Sequence, residues 1–191
     1  MRVLIYIDPG KNGGIAWRDS AGDVYVDDLP KRTIELQGKR KDGSPKTREV
    51  TDASGLAVSL RFIIDGEPMD HFPIVAWERW SKSGKSSTTS AILQGRNAGI
   101  VEGVVAGVMP DAIAEEHYAK DVRAACGVPS GGTYEERKAA AVERACELWP
   151  AFVDKIKVPP AGRQRTVQVK DGRADALLGL WYLMDRESRE G

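Results

Sequence analysis

The sequence predicts an α/β domain built on one mixed five-stranded sheet, strand order 3-2-1-4-5, with helices on both faces. Three observations predict it. Short apolar runs rich in β-branched residues recur ahead of turn residues, in a βββαβαβα order with runs of helical period. Strands one and four fall side by side in such a sheet, at the point where the direction of connection reverses. Acids stand at the ends of those two runs, Asp8 after Val3-Leu4-Ile5-Tyr6-Ile7 and Glu78 after Ile74-Val75-Ala76-Trp77.

The elements follow in order. Residues 2–8 read as a buried strand, and Gly13 to Arg18 as a second. Ala21-Gly22-Asp23 turns the chain into Val24-Tyr25-Val26, completing an antiparallel meander. Residues 31–50 carry seven basic and three acidic side chains, broken by Gly38, Gly43 and Pro45, and read as a mobile basic insertion. Thr51 or Asp52 caps a helix to about Asp65, with Leu56, Leu60, Ile63 and Ile64 inward. Residues 73–78 form the fourth strand, and residues 81–90 a flexible Ser/Gly/Lys loop. A helix over about 88–108, a short strand over Asp111 to Glu115, and helices over 133–148 and 171–187 complete a single domain spanning 1–191.

Bulk properties narrow the function classes. With 28 basic and 28 acidic side chains the formal charge is zero, against a generic basic nucleic-acid coat. Charge is nevertheless local: residues 79–96 hold Arg79, Lys82, Lys85 and Arg96 without an acid, and residues 155–170 hold five cations without one. Cys126 and Cys146 form no CxxC and have no histidine cluster nearby, which argues against zinc and a disulfide framework and for a reduced, cytoplasmic setting. The chain enters a strand at once, so no signal peptide is expected. Its most apolar stretch, Ala98 to Met109, is too short to span a bilayer, so no membrane association is expected.

Four acids carry the chemistry. Asp171 and Asp175 stand four apart at the start of the last helical pattern, hence on one face. Each acid has a bland explanation as well: a turn for Asp8, pairing with Arg79 for Glu78, the helix dipole for Asp171. Taken together, two strand-end acids and two on one helix face form an oxygen-only ligand set. That set suits Mg²⁺ or Mn²⁺, and two such ions about 4 Å apart support in-line phosphodiester hydrolysis.

Ile7-Asp8-Pro9-Gly10, Trp77-Glu78-Arg79, Leu93-Gln94-Gly95-Arg96-Asn97-Ala98-Gly99-Ile100 and Lys170-Asp171-Gly172-Arg173-Ala174-Asp175-Ala176-Leu177-Leu178 together resemble the RuvC family of Holliday-junction resolvases, in the RNase H-like superfamily. The blocks occur in family order. The four-residue acid spacing is closer to the phage, poxvirus and fungal mitochondrial branches than to the cellular bacterial enzyme, from which the 31–50 segment also departs. The resemblance implies an RNase H-like fold and a homodimer that nicks two opposed strands of a four-way DNA junction in the cytoplasm, including that of a phage host. It implies catalytic roles for Asp8, Glu78, Asp171 and Asp175, and for Lys138 a contact with the scissile phosphate. Arg79, Lys82, Lys85, Arg96, Lys120 and Arg123 are the expected DNA contacts, with Trp80 stacking on an unpaired base. The alternatives are a nuclease with relaxed choice of branched DNA or RNA, and an inactive junction-binding protein.

Other motifs weigh little. Ser83-Gly84-Lys85-Ser86 lacks the Gly a phosphate-binding P-loop needs, since Arg79 stands there. An actin-like ATPase needs a second phosphate loop, which does not occur, so no nucleotide cofactor is expected. His71 and His117 are isolated in sequence. Gly95, Gly99, Gly103 and Gly107 form an i,i+4 stripe costing about 1 kcal/mol each relative to Ala. That cost predicts a close backbone approach, onto the sheet or onto a partner helix; the sheet contact is the favoured reading, with the other helix face at a dimer interface.

Overall fold

The computed structural model describes residues 1–68, 71–79, 88–160 and 166–190. Strands β1 (Leu4–Ile7), β2 (Gly14–Arg18) and β3 (Val24–Asp28) form the meander. Next come β4 (Lys31–Lys39), β5 (Pro45–Thr51), helix α1 (Ala53–Ile64), β6 (Ile74–Glu78), α2 (Thr88–Val108) and β7 (Ile113–His117). Helices α3 (Ala119–Ala125), α4 (Tyr134–Leu148) and α5 (Val153–Ile156), strands β8 (Lys157–Val158) and β9 (Gln168–Val169), and α6 (Asp171–Glu190) complete the order.

The main sheet has five strands in the order β3-β2-β1-β6-β7. Counting β6 and β7 as fourth and fifth, this is the predicted 3-2-1-4-5 order of a mixed sheet. β1 pairs antiparallel with β2 and parallel with β6, and β6 runs parallel to β7. Alternation along the strands divides the core in two. Leu4, Tyr6, Ile74 and Ala76 face α6, α4 and α3, whereas Ile5, Ile7, Val75 and Trp77 face α1 and α2. No helix among the described residues is long and apolar enough to cross a membrane.

Local chemistry explains the helix ends. Asp52 caps α1 by accepting from the Ser54 N–H, and Thr133 and Glu136 close a reciprocal capping box on α4. The fifth strand lies two residues further on than expected, at Ile113–His117.

Two expectations are corrected. Residues 31–50, read as an insertion without strands in the expected element order, form most of a β4–β5 hairpin, paired from Lys31↔Thr51 to Lys39↔Pro45. Its turn is closed by Arg40 and Ser44, with Gly43 at φ +82° in the left-handed region. Asp42-Gly43 is a hairpin signal that the polar composition obscured. The glycine stripe of α2 does not approach the sheet: a Cβ at Gly99, Gly103 or Gly107 would meet nothing within 4 Å. Ala98, Val101 and Val105 form the buried face instead.

Candidate metal centre

Asp8 directly follows β1, and Glu78 ends the neighbouring β6. Their strands run parallel in register Ile7↔Trp77, so the two acids are the next pair along. By parity they share the face of Tyr6 and Ala76, the face that α6 covers. The α6 backbone reaches this point because glycines remove the obstruction. Gly13 bridges to Gly172, between the two helix acids, and a Cβ on Gly172 would collide with the Asn12 carbonyl. About two turns further on, Gly179 rests on the Tyr6 ring, where no side chain would fit. These contacts bring Asp171 and Asp175 to the strand ends.

The carboxylates act strongly on one another. Asp8 is only 8% exposed. Burial, and then the charges of Asp175 and Glu78, push its carboxyl well above the ordinary range, although the Gly10 N–H donates to Oδ1 at 2.8 Å. Burial and then Asp175 push Glu78 up to about 7, with Arg123 opposing. Asp175 is likewise raised by burial, against the pull of Arg123. Tyr6 beneath them is raised well above its usual value by burial, Glu78, Asp8 and Asp175.

Cations occupy the helix acids. Arg123 Nη2 donates to both oxygens of Asp175, at 3.0 and 3.1 Å. Lys138 Nζ lies 2.6 Å from Asp171 Oδ2, and Asn12 Nδ2 donates to Asp171 Oδ1 at 3.2 Å. As the side chains stand, no three His, Cys, Asp or Glu among the described residues are gathered closely enough to hold one ion. The donor chemistry nevertheless fits a hard divalent cation: oxygen-only ligands, withdrawn from water and mutually repelling, need positive charge.

No protein-family model matches the chain, and no curated protein matches it. Among solved structures it is similar to RuvC of T. thermophilus in complex with a Holliday junction substrate, at 12% identity and TM-score 0.43, over 95% of this chain and 96% of that one. It is also similar to MreB5 of Spiroplasma citri bound to ADP, at 11% identity and TM-score 0.36, over 100% of this chain and 78% of that one. Neither likeness bears on the chemistry.

The other expected residues are distributed as follows. Arg79 does not pair with Glu78; its Nε is 3.9 Å from Glu116, and its guanidinium lies 5.0 Å over the Tyr118 ring. Lys120 stands over the same ring at 5.5 Å. A cleft of about 580 Å³ is lined by Glu78, Arg79, Tyr118, Lys120, Arg123 and Arg137. A second cleft, of about 410 Å³, is lined by Asn12, Lys138, Lys157, Val169 and Asp171. Arg96 is exposed on α2 and takes no part in these contacts. Trp80, Lys82 and Lys85 lie outside the described residues. His117 is not isolated in space: it contacts Glu115 at 2.8 Å and stands edge-on to Tyr182.

Sequence reasoning passed over Asn97. Buried in α2, it accepts from the Thr51 N–H at 3.3 Å and donates to the Pro9 carbonyl at 3.1 Å, fixing the loop after Asp8. Its signal was a polar residue at an inward position of α2, inside the Leu93–Ile100 block. Asn12, Tyr118 and Arg137 carry no comparable signal, because only the tertiary fold brings them to the acids.

Proposed function

We propose that this chain is a metal-dependent endonuclease of the RuvC type, of the branch with four-residue acid spacing, resolving four-way DNA junctions as a homodimer by paired nicks. One observation carries the reading: buried Asp8 and half-buried Glu78 and Asp175 stand together, Asp175 raising the pKa of both others and Glu78 that of Asp8, an arrangement that is costly without cations.

Asp8, Glu78, Asp171 and Asp175 would hold two Mg²⁺ or Mn²⁺ ions, which when bound supply charge neutralisation and an activated water for in-line displacement at phosphorus. The chain's own residues do the rest. Asn97 and the Gly10 N–H hold the Asp8 loop in place. Lys138 and Arg123 balance Asp171 and Asp175 in the free protein, and stand ready at the rim as donors to phosphate oxygens once those acids take metal. Glu78 lines one cleft and Asp171 the other, so a DNA strand running through both would present its backbone to the acids. Arg79, Lys120 and Arg123 contact phosphates at one cleft; Lys82, Lys85 and Arg96 are further phosphate contacts of the proposal, and Trp80 its stacking residue for an unpaired base.

A gel assay of labelled four-way, three-way, linear and RNA substrates, with Mg²⁺ and with chelator, tests the reading. Symmetric nicks in the four-way junction, dependent on Mg²⁺, are expected. Equal cleavage of all branched DNA or of RNA would replace junction resolution with a relaxed nuclease, and binding without any cleavage would leave a junction-binding protein.

A further inference from the structure

The β4–β5 hairpin has no part in the site described above, yet its charge is sorted by face. Residues paired across a hairpin share a face. Arg32↔Val50, Ile34↔Arg48 and Leu36↔Lys46 place three cations and no acid on one face. Lys31↔Thr51, Thr33↔Glu49 and Glu35↔Thr47 place one cation and two acids on the other. Lys39, Arg40 and Lys41 add positive charge near the tip, Lys39 pairing with Pro45 on the other face. No carboxylate among the described residues pairs with Arg32, Lys46 or Arg48, and half-buried Ile34 and Leu36 lie between them.

The hairpin is also anchored to the acidic centre. At its base Thr51 is hydrogen-bonded to Asn97, which holds the Pro9 carbonyl next to Asp8. Lys11, from the same loop, lines a groove of about 530 Å³ together with Thr33, Thr47, Arg48 and Glu49. Strand β4 has nine residues. At ~3.3 Å per residue it reaches about 30 Å, close to one turn of B-form duplex at ~34 Å. The successive cation rungs are two residues apart, about 7 Å.

We propose that this hairpin is an arm that lies along a duplex leading into the site, its Arg32, Arg48 and Lys46 face against the DNA phosphates. The inference rests on the nuclease reading and adds to it a contact with an arm of the junction rather than with its centre. Because only phosphates are touched, the arm supplies affinity and orientation without sequence preference.

The test compares wild type with Arg32→Glu/Lys46→Glu/Arg48→Glu and Arg32→Gln/Lys46→Gln/Arg48→Gln, by anisotropy on a labelled four-way junction, a DNA duplex and an RNA duplex across a salt series. Both variants should bind junction and duplex DNA at least about tenfold more weakly near 0.15 M salt, with the log–log salt slope shallower by about 3 units. Nicking of saturated junction should be unchanged, since none of the three cations touches the carboxylates. Arg61→Glu/Arg189→Glu, remote surface changes, should leave affinity unaltered. Should the Glu variant fail to fold, the Gln variant decides. Unaltered affinity and slope in a protein that still nicks junctions overturn the arm and leave the nuclease reading intact. Loss confined to RNA duplex overturns the assignment to DNA. A wild-type chain that neither binds nor nicks DNA overturns both.

Discussion

At Asp8 a carboxylate is almost wholly withdrawn from water beside two other acids, and the hydrogen bond from Gly10 does not offset that burial. Ionising it at neutral pH therefore costs the folded protein free energy, so removing the charge stabilises the metal-free fold. Asp8→Asn in chelator at pH 7 should gain about 1 kcal/mol or more, raising Tm by ~2–4 °C per kcal/mol. A lower melting point in calorimetry would refute the repulsion. Asn97→Ala acts in the opposite direction. It leaves the Pro9 carbonyl and Thr51 N–H short of partners and should cost about 1–3 kcal/mol in urea unfolding. Because it frees the Asp8 loop, nicking should slow while DNA affinity holds. On the outer strand, burial alone would raise Glu115, but Arg186 and His117 hold its carboxyl below the ordinary range. That stabilisation is present above the unfolded value of about 4.3 and is lost as pH falls through the lower folded value. Glu115→Gln should thus weaken the fold at pH 7, and its stability should fall less steeply in acid, as unfolding measured across pH will show.

Helix α6 and helix α2 use glycine for opposite ends. In α6, Gly172 lets the backbone abut Asn12 and Gly13, and an added methyl has no room. Gly172→Ala should push the helix away from the β1–β2 turn, destabilise by about 2 kcal/mol or more, and displace both helix acids. In α2, Gly103 faces open space, so Gly103→Ala should stabilise by roughly 0.5–1 kcal/mol. A fall in Tm with Gly103→Ala would show that a partner covers the stripe. The two helices also mark how far the sequence could be read. Apolar periodicity, caps and strand-end acids are local, so the sheet order and the grouping of Asp8, Glu78, Asp171 and Asp175 on one face were legible. The hairpin was not, because its apolar members Ile34, Leu36 and Val50 are diluted by charge. The Arg123–Asp175 pair and the Asn97 clamp join residues 52 and 88 positions apart, and no local pattern marks such contacts.

Across the whole molecule, acids gather at the ends of two central strands while cations line the adjoining clefts and one hairpin face, the charge distribution that the proposed function requires. One such site makes one nick, so resolving a junction needs a two-fold pair, and sedimentation should show a dimer at least on junction DNA. A monomer in both states would contradict paired nicking. The most direct test of the central claim is the single-turnover nicking rate of Asp8→Asn and Asp175→Asn on saturating four-way junction with Mg²⁺, beside wild type. The account predicts a fall of about 10³-fold or more with junction affinity preserved, since the carboxylates serve the chemistry and the basic surfaces serve binding. Either variant nicking near the wild-type rate would contradict the metal centre.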